Sequence, residues 1–87
     1  MEQWHVEITD TFGGEANYSW VTRYKVRASS PRGAIVRINR DSGLGFRKVY
    51  GIGDTVRYDS RSGATCAFIE RWDDDAHANT RHSETLA

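Results

Sequence analysis

The side chains that could carry chemistry are one thiol and three imidazoles, at Cys66, His5, His77 and His82. A cysteine nucleophile needs an imidazole within hydrogen-bonding distance and an electropositive, partly exposed position. Cys66 instead lies in the apolar run at residues 64–69, where a small buried side chain is the ordinary expectation. The sequence therefore predicts no catalytic residue and no enzyme activity.

Oxygen and nitrogen ligands are also grouped near the C-terminus, in the acidic run Asp73–Asp75 and at His77 and His82. Their spacing matches no compact zinc or calcium motif. A single cysteine excludes an internal disulfide and most cysteine-based zinc sites. The G-x-G patterns at 43–45 and 51–53 do not continue into a phosphate-binding loop. We therefore predict neither a metal nor a cofactor.

Basic residues are concentrated in one stretch, although the chain's 12 basic and 12 acidic residues cancel. Residues 23–48 hold eight basic residues and one acidic residue, a net charge of +7, whereas residues 1–22 carry −4 and residues 70–87 carry −3. Such a stretch can create a positive field that attracts a partner. Alternatively, the acidic ends fold back and neutralise it. The predicted partner-binding residues are Arg23, Lys25, Arg27, Arg32, Arg37 and Arg40.

Alternation of apolar and polar residues predicts two strands, at residues 3–9 and 18–28. The turn-forming stretch 10–17 between them, with adjacent glycines, indicates an antiparallel hairpin with a loop of about eight residues. The loop either only connects the strands or offers a contact site formed by Phe12, Glu15 and Tyr18. In the second strand, one face carries the basic side chains and the other is expected in the core, with Tyr18, Trp20 and Tyr24.

The clearest helix signal begins at Ser30, which suits the N-cap position, with Pro31 in the first turn and Gly43 as a left-handed stop. These signals predict a helix over residues 31–42. At about three turns it must pack on the sheet through its apolar side to be stable. Further strands are predicted at residues 46–50, 55–59 and 64–72.

The predicted fold is a single α+β domain over residues 1–73, in which ββα is followed by two or three strands. One helix packs on one face of a mainly antiparallel sheet. Residues 74–87 are polar and are predicted to form a flexible tail. Because one helix covers one face, the other is expected to meet water, a partner or a second copy of the chain, as in a homodimer.

The hydropathy pattern contains no apolar run of membrane-spanning length and no signal-peptide pattern at the N-terminus. We therefore expect a cytoplasmic protein that does not contact a membrane.

Four segments resemble small proteins of bacteriophages and bacterial mobile elements. They are residues 8–21 (ITDTFGGEANYSWV), 30–34 (SPRGA), 54–59 (DTVRYD) and 64–68 (ATCAF), and the resemblance spans about residues 4–72. It brings no known activity or catalytic residue. It implies a setting, the cytoplasm of a host cell, in which proteins of this size bind a host protein, for example as anti-CRISPR or other anti-defence inhibitors.

The expected function is therefore that of a non-enzymatic phage or mobile-element protein that binds and modulates a host protein. The alternative is a small RNA- or DNA-binding protein that uses the basic residues of 23–48, since arginine and lysine can contact phosphates. The neutral total charge and the acidic ends of the chain favour the first function.

Overall fold

The computed structural model describes residues 1–52, 54–78, 82 and 84–86. Its elements, in chain order, are β1 (Glu2–Phe12), β2 (Glu15–Ala28), α1 (Pro31–Ser42), β3 (Arg47–Ile52), β4 (Thr55–Asp59), β5 (Thr65–Arg71), α2 (Asp74–His77) and β6 (Glu84–Leu86). The predicted α+β architecture is confirmed, with α1 packed on one face of a mainly antiparallel sheet. Four strands follow ββα where two or three were predicted, because β6 lies beyond the predicted end of the domain.

The strands form one sheet in the order β3-β4-β5-β1-β2-β6. Neighbouring strands are antiparallel except β2 and β6, which pair in parallel. The register places Val6 opposite Tyr24 and Ile69. Because side chains alternate along a strand, Val6 faces α1 and its neighbour His5 faces the other side. We call these sides the helix face and the second face.

α1 has the bounds that the sequence predicts. The Ser30 side chain accepts a hydrogen bond from the Gly33 amide at 3.0 Å, and Gly43 ends the helix with a φ of 73°. The apolar side of α1 is buried and packs mainly on β1, β2 and β5. The main buried side chains of the helix face are Trp4, Val6, Ile8, Val26, Ala34, Ile35, Ile38, Ala67 and Ile69.

The β1–β2 hairpin differs from the expected loop of eight residues. Both strands continue to a tight turn at Gly13 and Gly14, with φ values of 63° and 86° that glycine adopts readily. Tyr18 and Trp20 are 54% and 44% exposed, so the expectation that they lie in the core is wrong. The 12 residues of α1 span about 18 Å, whereas the 14 residues of β2 span at least about 40 Å. The helix therefore leaves the hairpin end uncovered.

Residues 74–87, predicted to be a flexible tail after a domain ending at residue 73, contain α2 and β6. β6 pairs with the edge of β2, and Leu86 is buried with the helix-face core. The described residues of this range therefore contact the domain, while their flexibility stays a prediction. Neither helix within the described residues is long and apolar enough to cross a bilayer.

Candidate functional site

The six predicted partner-binding residues lie on two sides of the sheet. One group belongs to β2, where odd-numbered side chains point to the second face: Arg23, Lys25 and Arg27. The other group belongs to α1, which packs on the helix face: Arg32, Arg37 and Arg40. The structure therefore does not join the six residues into one surface patch.

The two groups also differ in their contacts. Arg23 Nε donates to Glu7 Oε2 at 3.0 Å, and Lys25 Nζ lies 4.3 Å from the centroid of the Trp72 ring. Within the described part of the chain, the arginines of α1 form no ion pair. The acidic N-terminal stretch therefore neutralises the charge of Arg23, through Glu7. It forms no ion pair with the arginines of α1 among the described residues.

All three imidazoles of the chain meet on the second face. The His5 and His77 rings stack with centroids 4.1 Å apart and planes 8° from parallel. The His82 ring stands at 87° to the His5 ring, with its Nε2 at 2.9 Å from His5 Nδ1. Trp72 lies beside them, 4.9 Å from the His82 ring. We call His5, His77 and His82 the histidine cluster.

Hydrogen bonds fix which nitrogen of the neutral His77 ring carries the proton. The Asp73 amide donates to His77 Nδ1 at 2.9 Å, so the proton of the neutral ring is on Nε2, which donates to Glu70 Oε1 at 2.7 Å. Burial, followed by the neighbouring His77 and His82, lowers the pKa of His5 to about 4. The cluster is therefore a hydrogen-bonded group in which His5 is neutral near pH 7.

A metal is the first ligand that such a cluster suggests, since one ligand atom each from His5, Glu70 and His77 lie within 4.8 Å of one another. An imidazole binds a metal through a lone pair in its ring plane. Two stacked, nearly parallel rings cannot both hold one ion in plane, and His77 Nδ1 accepts a hydrogen bond where a metal-bound histidine usually donates one. The geometry fits hydrogen bonding better than a shared metal.

Spacing along the sequence did not reveal this cluster. His5 and Glu70 come from β1 and β5, which are neighbours only because of the strand order. The usable signal was the alternation of side chains along β1. His5 lies between Trp4 and Val6, which face the helix, so its side chain had to lie on the second face.

The hairpin tip covers the other end of the second face. Arg57 is buried, and its Nη2 donates to the Gly14 carbonyl at 2.6 Å while its Nε donates to Asp59 at 2.8 Å. Cys66, opposite Asp59 in the register, is fully buried, as predicted, and burial raises the pKa of its thiol. The expectation that the second face meets water, a partner or a second copy of the chain is therefore wrong at its two ends, which the hairpin tip and the histidine cluster cover.

The helix face retains an uncovered region. A groove of about 550 Å³ runs along α1 beside β3 and β4, within the 300–1,000 Å³ typical of ligand sites. We call it the α1 groove. It is lined by Ser30, Pro31, Arg32, Ile35, Val36, Asn39, Phe46, Arg47, Val56 and Tyr58.

Comparison of the chain with family models, with curated proteins and with solved structures finds no match.

Proposed function

We propose that this chain is a non-enzymatic protein that binds and modulates a partner protein. The resemblance to small phage and mobile-element proteins makes a host protein the expected partner. One observation carries the proposal: α1 presents arginines without an ion-pair partner in the described part of the chain, next to an apolar groove. Arginine and apolar side chains are the residue types that anchor protein interfaces.

Two of the four side chains with catalytic potential, Cys66 and His77, are occupied within the fold, which supports binding over catalysis. The Cys66 thiol is buried and its pKa is raised by that burial, a state that suits packing and not attack on a substrate. His77 accepts at Nδ1 and donates at Nε2, so neither ring nitrogen is left for a substrate.

Nucleic-acid binding is the second candidate, because the same arginines could contact phosphates. The surface beyond the α1 groove disfavours it. Past Pro31 and Val56, which also line the groove, the surface continues into a cleft lined by acidic residues. These are Asp54, Glu70, Asp73, Asp74 and Asp75. A polyanion lying along α1 would meet this negative field, whereas a protein surface can match both signs.

The proposal is tested with two matched charge reversals. In one variant Arg32, Arg37 and Arg40 become Glu; in the other Arg23, Lys25 and Arg27 do. The partner is captured from host lysate by cross-linking and purified, and its affinity for each variant is measured with circular dichroism as the folding control. We expect the α1 variant to lose the partner and the β2 variant to keep it. Equal affinities of both variants and the parent would reject the α1 surface.

Two further measurements separate the alternatives. Nucleic-acid binding that is strong at about 50 mM salt and falls steeply with added salt would replace the proposal with the second candidate. A homodimer would appear as a doubled mass in sedimentation at micromolar concentration, and loss of that dimer in the α1 variant would assign the surface to a second copy.

A further inference from the structure

We propose that the α1 groove binds an apolar segment of a partner polypeptide that carries an acidic side chain. This inference rests on the proposed function and names the chemistry of the partner. It depends on three features of the groove: its apolar floor, the donors at its rim and the charge of the surface beyond it.

The apolar floor exists because α1 packs mainly on β1, β2 and β5 and leaves the β3–β4 side uncovered. Phe46 and Ile35 are buried at the base, and Val56 is half-buried. Val36, on the outer side of the helix, is 47% exposed and borders the groove. An apolar side chain placed here would remove Val36 and Val56 from water.

Donors without partners lie at the rim. Arg32 and Arg47 are exposed, and no carboxylate pairs with either among the described residues. Tyr58 also lines the groove, and its hydroxyl makes no hydrogen bond within the described part of the chain. This hydroxyl is not a buried unpaired atom, so it can donate to a group that enters the groove. A carboxylate in the groove would accept from Tyr58 and form charge-assisted hydrogen bonds with the arginines.

The acidic cleft past Pro31 and Val56 repels negative charge, so it limits how far a negatively charged ligand can extend beyond the α1 groove. A nucleic acid carries charge along its whole backbone and would extend into this cleft. A peptide can place one carboxylate at the arginine rim and apolar or basic side chains elsewhere. The charge pattern therefore favours a protein segment over a polyphosphate.

The test uses three short acetylated peptides, in which leucine alternates with glutamate, with glutamine or with lysine. Binding to the full chain is followed by amide shifts in ¹⁵N spectra. We expect the glutamate peptide to shift the amides of Ile35, Val36 and Val56, the glutamine peptide to bind at least about tenfold more weakly, and the lysine peptide not to bind. Similar affinities for all three peptides, or shifts confined to other surfaces, would overturn the proposal.

Substitutions assign the contacts. Arg32→Ala is expected to weaken the glutamate peptide about tenfold, and Tyr58→Phe to weaken it severalfold without loss of the apolar floor. Arg27→Ala is the matched control, because Arg27 is exposed on the second face and does not line the groove. Equal losses from Arg32→Ala and Arg27→Ala would mean that general charge attraction, and not the groove, binds the peptide.

The groove proposal can be wrong while the proposed function is right. If the glutamate peptide does not bind while the captured partner still requires Arg32, Arg37 and Arg40, the groove proposal is wrong and the partner-binding proposal stands. If binding of the captured partner does not require those arginines either, both the groove proposal and the partner-binding proposal are wrong.

Discussion

On the helix face, Ile38 and Ile69 are fully buried among other apolar side chains, whereas on the second face the buried residues include His5, Thr9 and Arg57. Apolar burial stabilises in proportion to the area removed from water and needs no particular partner. A buried polar group is tolerated only while each hydrogen bond is made. The stability of the second face should therefore depend on pH and on individual hydrogen-bonding atoms. The stability of the helix face should depend on the volume of its buried apolar side chains.

The largest effect is expected from removing volume on the helix face. Ile38→Ala leaves a cavity in the fully buried side of α1 and should lower the free energy of unfolding by about 2–5 kcal/mol. Urea unfolding measures this change. The control is Val36→Ala on the same helix, where the exposed side chain should contribute within about 0.5 kcal/mol. Similar losses for both variants would contradict the assignment of the core.

Acidification is expected to weaken the second face next. The folded-state pKa of His5, about 4, lies below the ordinary value of 6.5, so the unfolded chain binds more protons between these two values. His5 then contributes stability above pH 6.5 that is lost as the pH falls towards 4, by up to about 3 kcal/mol. His77 and His82, in direct contact with it, and Glu7 at 4.0 Å surround this ring. Urea unfolding at several pH values measures the slope.

His5→Gln provides the control for this pH dependence, because it removes the titrating ring. The variant should show a flatter stability profile between pH 4 and 6.5 than the parent. Hydrogen bonds from Ser19 and Asn17 lower the pKa of Asp10, at the hairpin end, to about 2. That end should therefore keep its amide shifts until the pH falls below about 4. Simultaneous changes at both ends would contradict the separation.

The same contrast explains what the sequence could predict. The bounds of α1 follow from local signals, the Ser30 cap and the Gly43 stop, and the structure confirms both. The alternation of side chains along β1 was also sufficient to place Val6 and His5 on opposite faces of the sheet. Strand order was not predictable, because β1 pairs with β5 through residues that are 55 to 67 positions apart in the chain. The histidine cluster depends on that pairing and was therefore missed.

A third prediction concerns one hydroxyl at the hairpin. Thr9 Oγ1 donates to the Trp20 carbonyl at 2.9 Å and accepts from the Tyr18 amide at 3.0 Å, where Tyr18 has a φ of 57°. Thr9→Val keeps the shape and loses both bonds, so the free energy of unfolding should fall by about 1–3 kcal/mol. Thr22→Val on the same hairpin is the control, expected within about 0.5 kcal/mol. Equal small effects would mean that water replaces the hydroxyl.

The smallest effect is expected from the Arg23–Glu7 pair, whose side chains are partly exposed at a distance of 3.0 Å. A double-mutant cycle with Arg23→Ala and Glu7→Ala should give a coupling of about 0.2–1 kcal/mol, weakened by added salt. This value also decides whether the β2 charge reversal is a sound control for α1. With a coupling below about 1 kcal/mol, the reversed β2 strand loses little stability and the comparison of the two surfaces reports on binding. A coupling above about 2 kcal/mol would show that the second face needs Arg23 in order to fold, and Arg27→Glu alone would then have to replace the triple variant.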